Sequence, residues 1–205
     1  MGTLVSRLRV RFYGGMTGDE RVREAMERVP REVFLPEDVR GRAGEDRPLS
    51  IGHGVTNSQP YTVRIMLELL GVQPGDSVLD VGAGSGWTTA ILAELTGPEG
   101  SVLGTERLAP LVSPAAERVA SLGYRNADVI AAPEGTVGTP DAGPFDRILV
   151  SAEARTLPQV LVDQLDDGGV LVIPVEGEML RVRRTGGDIA TTSHGRFSFV
   201  PLIEG

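Results

Sequence analysis

Two short stretches of this chain combine residue types at spacings that could do chemistry. The first is Asp80-Val81-Gly82-Ala83-Gly84-Ser85-Gly86-Trp87, an acid followed by glycines at alternate positions. It ends an apolar run and opens a helical pattern. Glycine at a strand-to-helix turn lets a ligand approach the backbone and rest against the helix N-terminus, whose N–H groups attract negative charge. The spacing is G-x-G-x-G, not the G-x-G-x-x-G of a nicotinamide-dinucleotide site. Trp87 stands where the third glycine of that fingerprint would be. A side chain of that size is expected to obstruct close helix–strand packing there. Glu106 ends the next apolar run. An acid about twenty residues beyond such a loop grips a ribose in sheets of this kind; the alternative is a solvated strand end.

The second stretch is Ser50 to Tyr61, "SIGHGVTNSQPY", rich in glycine, small hydroxyls and amides and followed directly by the amphipathic "TVRIMLELL". Ser58 has two readings. It is a good helix N-cap with Pro60 in the first turn, or it is a hydroxyl donor presented to a ligand. The helix start near Pro60 also favours an anion. His53 is expected to shape the loop rather than to react, and His194 falls in an expected turn with no assigned role.

Bulk composition narrows the classes. The 205 residues carry a net charge of −8, 40% hydrophobic and 4% aromatic residues. Aliphatic side chains must therefore fill the core, and the acidic balance argues against phosphate-backbone binding, so no nucleic-acid partner is expected. All 20 basic residues are arginine and there is no cysteine, which removes disulfides, thiolate metal sites and thiol catalysis. The two histidines show no metal-ligand spacing, and no metal is expected. There is no apolar run of membrane-spanning length and no signal-peptide core, so a cytoplasmic protein without a membrane partner is expected. A monomer is expected.

The elements that must position the two stretches alternate. Residues 19–29 read as a helix with Asp19 as its cap, and 36–59 as loop. From residue 61 come a helix to Gly71, a strand "DSVLDVG", a helix "WTTAILAELTG", a strand "SVLGTE" and a helix "LVSPAAERVASLG" with Pro114 in its first turns. Then follow strands "ADVIAA" and "FDRILVSA", a helix plus turn "LPQVLVDQLDDGG", a strand "VLVIPV", and a terminal strand, glycine turn and strand running through "FVPL". Alternation of this kind predicts an α/β, doubly wound, mostly parallel sheet. The closely linked terminal pair must be an antiparallel edge. One domain is expected over 1–205, with 1–60 as an N-terminal helical cap and substrate loop above the strand ends, and 61–205 as the core.

With the strand, glycine loop and second acid in view, "VLDVGAGSGW" resembles the first motif of S-adenosyl-L-methionine-dependent methyltransferases. "PLSIGHGVTNSQPYTVRIMLELL" resembles the segment that precedes that motif in protein-L-isoaspartate O-methyltransferases. Further likenesses follow in family order: "AMERVPREVFLP", "FDRILVSA", "LPQVLVDQL", "GGVLVIPV" and "FVPLIEG". Together they cover residues 20–205. The resemblance implies a class I methyltransferase fold, S-adenosyl-L-methionine as cofactor, and methyl transfer to the free carboxylate of isoaspartyl residues in damaged proteins or peptides. It implies Ser58 as the catalytic residue. Cofactor contacts would come from Gln59, Asp80, Gly82, Ala83, Gly84, Gly86, Glu106, Arg107, Glu134 and Gly135. Substrate contacts would come from Thr56, Ser58, Ser151, Ala152, Pro201 and Leu202.

Four departures from the family pattern bear mostly on the substrate side. Pro133-Glu134-Gly135 replaces G-D-G, Glu153 and Arg155 interrupt a run of small residues, Gly44 replaces a tyrosine, and the segment before "FVPL" is short. A Glu153 side chain beside an incoming carboxylate would repel it; otherwise it points away or pairs with an arginine. An acceptor carboxylate of another kind, or a non-catalytic cofactor-binding role, are the alternatives these departures raise.

Overall fold

A computed structural model of the chain describes residues 17–203. The expected arm "RLRVRFYGG" and the last two residues of "FVPLIEG" lie outside the described residues. Helix α1 (Gly18–Arg28) opens the described chain. Its cap is Thr17, two residues earlier than the sequence suggested: the Thr17 hydroxyl accepts from the Glu20 N–H while the Glu20 carboxylate accepts from the Thr17 N–H. This reciprocal box satisfies two otherwise orphaned donors, which Asp19 could not do from inside the helix.

Residues 36–59 are more structured than the expected loop. They follow a 3₁₀ turn (Arg31–Phe34) and contain the short helix α2 (Glu37–Arg40) and a two-stranded antiparallel hairpin, β1 (Leu49–Ser50) and β2 (Thr56–Asn57). Helix α3 (Pro60–Leu70) follows, ended by Gly71 in the left-handed region. Its N-cap position is Gln59, and its first free N–H is satisfied from outside by the Asp46 carboxylate, which accepts from Tyr61 N at 2.8 Å. Ser58 is therefore not the cap.

The core is a seven-stranded sheet. Strands β3 (Ser77–Val81), β4 (Ser101–Glu106), β5 (Ala127–Ala131), β6 (Phe145–Val150) and β7 (Leu165–Val175) are parallel; β8 (Glu178–Thr185) and β9 (Asp188–Arg196) add an antiparallel edge. The order is β5-β4-β3-β6-β7-β8-β9. The strand order reverses between β4 and β6 around β3, and a ligand crevice forms at such a switch point outside the carboxyl ends. Helices α4 (Trp87–Thr96), α5 (Ala109–Ser121) and α6 (Gln159–Asp163) supply crossovers. β3 is buried at four of its five positions, as a strand covered on both faces must be.

Three boundaries differ from expectation. Helix α5 begins two residues earlier than read, so Pro114 lies inside it and Pro110 occupies its first turn. The expected turn after α6 is already strand: Leu165 pairs with Phe145, and a register irregularity before Arg147 absorbs the glycines. The last strand stops at Arg196, with His194 in it rather than in a turn, and the chain then crosses to bridge Pro201 to Glu153. Among the described residues, no helix is long and apolar enough to cross a membrane.

Two buried arginines hold the N-terminal segment in place: Arg21 donates to Val72 O and Leu95 O, at 3.0 and 3.1 Å, and Arg31 gathers the 43–58 segment onto the start of α4. Arg31, 5% exposed, lies over the Trp87 ring at 5.4 Å and donates to the carbonyls of Ala43, Glu45, Arg47, Asn57 and Ser58 and to Asn57 Oδ1. A planar guanidinium reaches that many acceptors and an ammonium does not. Arg31→Lys is expected to lower the unfolding free energy by about 3 kcal/mol, because the buried Asn57 and several part-buried carbonyls lose their donor; urea denaturation followed by circular dichroism measures it.

Candidate active site

One cavity of about 840 Å³ lies above the strand ends. That is within the roughly 300–1,000 Å³ of small-molecule sites. Its walls come from three sources: the glycine loop, the ends of β4, β5 and β6, and the hairpin with residues 200–203. Most of the expected site residues meet there. Thr56, Ser58, Gly82, Ala83, Gly84, Glu106, Arg107, Glu134, Gly135, Ser151, Ala152, Pro201 and Leu202 all line it.

Three expected cofactor residues lie behind the wall. The Gln59 amide turns away to donate to Asp46 Oδ2 at 3.1 Å. Gly86 faces the next helix: a Cβ there would meet Ala115 O and Val119 Cγ2 at 3.1 Å, at a φ of +91°. Gly82 and Gly84 differ from it. Their φ values are also positive, but a Cβ would find only ordinary contacts, at 3.8 Å from Ser151 and 3.5 Å from Ile51. Gly82 and Gly84 thus form the turn and line the cavity, whereas Gly86 serves helix packing.

Trp87 does not obstruct the loop. Its buried indole points to the cap and donates to Val29 O at 3.1 Å. The close helix–strand approach is made instead at Gly104 on β4, where a Cβ would lie 2.9 Å from Thr89 Oγ1.

The two acids have separate tasks. Glu106 is a cavity residue: Oε2 accepts from Gly84 N and Oε1 from Leu108 N, both at 2.8 Å. A carboxylate has about four acceptor positions, so it keeps capacity for two hydroxyls. Asp80 is fully buried beneath the loop, where Thr88 and Thr89 hydroxyls both donate to Oδ2 at 2.7 Å. Burial pushes its carboxyl up to about 6; the two hydroxyls oppose this, and the Glu106 charge adds to it.

The hairpin loop is held in an unusual backbone. Gly52, His53 and Gly54 have φ of +86°, +54° and +77° in succession. His53 thus shapes the turn, as expected, in a region a non-glycine residue rarely adopts. Reading from sequence missed three site residues: Arg31, Asn57 and Ser85. Arg31 sits in "VPREVFLP" and Asn57 in "TNSQP", but neither motif by itself shows a buried partner.

Of the departing residues, Glu153 and Gly44 lie off the cavity wall, whereas Pro133 and Glu134 line it. Glu153 does not line the cavity. Its backbone pairs with the chain end, Glu153 N to Val200 O at 2.8 Å and Leu202 N to Glu153 O at 2.7 Å, which fixes the cavity wall formed by Pro201 and Leu202. Among the described residues no arginine lies within ion-pair distance of its side chain. Gly44 is exposed, with nothing within 4 Å of a Cβ built there. Pro133 and Glu134 are exposed on the cavity rim.

A parallel sheet with an antiparallel edge, a glycine loop at the switch point and a cavity-lining acid at the end of the next strand define a class I methyltransferase. The family model described as protein-L-isoaspartate(D-aspartate) O-methyltransferase matches residues 3–205, and the chain belongs to that family. A protein-L-isoaspartate O-methyltransferase of Ignicoccus hospitalis is 45% identical over 188 residues, covering 89% of each chain. One from Methanopyrus kandleri is 45% identical over 205 residues, covering 98% of this chain and 89% of its own. Among solved structures, a Plasmodium falciparum protein assigned as a protein-L-isoaspartate O-methyltransferase, in complex with S-adenosyl-L-homocysteine, superposes with a TM-score of 0.79 at 28% identity. It covers 92% of this chain and 93% of its own.

The raised Asp80 pKa makes a signed prediction. The native state binds this proton more tightly than the unfolded chain, so stability falls as pH rises from the ordinary carboxyl value of 3.8 towards 6. Asp80→Asn has no proton to lose. Its stability relative to the parent is expected to improve between pH 4 and pH 7, by at most about 3 kcal/mol. Urea unfolding of both proteins across that range measures it; parallel profiles would show an ordinary carboxyl.

Proposed function

We propose that this protein transfers a methyl group from S-adenosyl-L-methionine to the free carboxylate of L-isoaspartyl residues in damaged proteins or peptides. One observation carries the reading: the glycine loop with Glu106 and the hairpin with Ser58 line a single cavity, in a chain of this family. The cavity fits the cofactor. Gly82 and Gly84 leave open backbone, Glu106 has acceptor positions for two ribose hydroxyls, and Leu108, Ala132 and Val137 give apolar walls for a base. Glu134 and Gly135 sit on the same rim.

When bound, the cofactor supplies an electrophilic methyl group: a bond forms from a carboxylate oxygen to carbon, the carbon–sulfur bond breaks, and its electron pair stays on sulfur. The acceptor is already ionised at neutral pH and needs no base. The chain therefore has to orient and desolvate rather than move protons. Ser58, half-buried at the cavity wall and free of any capping duty, is a donor for one carboxylate oxygen, with Thr56 on the same hairpin. Ser151, Ala152, Pro201 and Leu202 close the acceptor side. The reading treats residues 1–60 as cap and 61–205 as core of one domain, acting as a cytoplasmic monomer on peptide acceptors.

Labelled methyl transfer to matched peptides that differ only in an aspartyl or isoaspartyl linkage tests it. Base-labile label on the isoaspartyl peptide alone is expected; label on neither would overturn the reading. Ser58→Ala should reduce kcat/KM by roughly tenfold or more, the worth of a hydrogen bond to a charged group. An unchanged value would remove Ser58 from the site. Glu106→Gln should weaken S-adenosyl-L-homocysteine binding, seen by calorimetry, since an amide keeps only one acceptor oxygen.

A further inference from the structure

The glycine loop and the hairpin are two walls of one cavity, and a buried side chain joins them. Asn57 on β2 is 4% exposed and Ser85, between Gly84 and Gly86, is 3% exposed. Asn57 Nδ2 donates to Ser85 Oγ at 3.1 Å, and Asn57 Oδ1 accepts from Arg31 Nε at 2.7 Å. The orientation of the amide is not free. A guanidinium only donates, so Oδ1 must face Arg31 and the NH₂ group must face Ser85. Ser85 Oγ therefore accepts, and its own proton remains for another partner. Arg31 also binds the carbonyls of Asn57 and Ser58, at 3.2 and 2.8 Å. On the other side, the neighbouring Gly84 N–H donates to Glu106. The bonds thus run continuously from Glu106 through the glycine loop to the residue expected to touch the acceptor.

We propose that Asn57 is a positioning residue that couples occupancy of the glycine loop to the placement of Ser58 in the acceptor hairpin. A shift of Ser85 that broke its bond would leave a buried amide without a partner, so the hairpin follows the loop. Coupling of this kind is reciprocal: a ligand on the loop tightens acceptor binding, and an acceptor tightens the loop. The inference rests on the methyl-transfer reading above.

The test is the binding of a fluorescently labelled isoaspartyl peptide, read by anisotropy, with and without saturating S-adenosyl-L-homocysteine. In the parent protein the nucleoside should tighten peptide binding by about fivefold or more. In Asn57→Ala this ratio should collapse to less than about twofold. Ser85→Ala should give the same collapse while sparing the Arg31–Asn57 bonds, which keeps the test available if Asn57→Ala does not fold. The double variant should be no worse than either single one. A merely structural role would lower the thermal midpoint and leave the ratio intact; that result, or a ratio of one in the parent protein, overturns the proposal. Methyl transfer by the parent protein to the same peptide is measured alongside. If transfer occurs without coupling, only this inference fails; if no transfer occurs, the functional reading fails.

Discussion

A single buried guanidinium organises the substrate side of this protein. Arg31 carries a full charge into a nearly closed site and meets no carboxylate within ion-pair distance among the described residues; its partners are carbonyl oxygens, one side-chain amide and the face of Trp87. Desolvation holds its pKa below the ordinary arginine value, but arginine remains protonated at any physiological pH. The consequence is geometric. A hairpin with two-residue strands has too few ladder bonds to hold itself. Arg31 ties both the 43–47 segment and the 57–58 segment to the start of α4, so the hairpin becomes a fixed wall of the cavity.

The glycine loop shows how one motif contains unlike parts. Three glycines share positive φ, yet two face a ligand space and the third faces a helix. Two acids lie close enough to influence one another, yet one lines the cavity and the other is sealed beneath two threonine hydroxyls. Position separates them. A cavity-lining carboxylate, 7% exposed, that accepts two backbone N–H groups keeps further acceptor positions, whereas a carboxyl without solvent supports the loop from below.

The substrate-side departures are resolved by backbone pairing rather than by side-chain chemistry. Glu153 bonds through its N–H and C=O to Val200 and Leu202, so the polypeptide uses this position to seat its own C-terminal segment. Its carboxylate is not part of the cavity wall, and the open surface at Gly44 is equally remote. Neither residue lines the cavity.

From residue 61 on, the order of elements, the parallel core, the antiparallel edge and the glycine loop were legible in the sequence; the short helix and hairpin within residues 36–59 were not. Period-two and helical patterning, glycine spacing and strand-end acids are local signals, and residues 61–150 obey local rules. The family likeness extended this to thirteen residues that the cavity brings together. Tertiary structure alone decided the rest. Whether Ser58 or Asp46 serves α3, where the Trp87 indole turns, and which glycine packs a helix depend on partners tens of residues away in sequence. The Arg31–Asn57–Ser85 bridge spans 26 and 28 residues of chain. No periodicity records such a contact, because a hydrogen bond between buried groups is set by where the backbone returns in space and not by spacing along the chain.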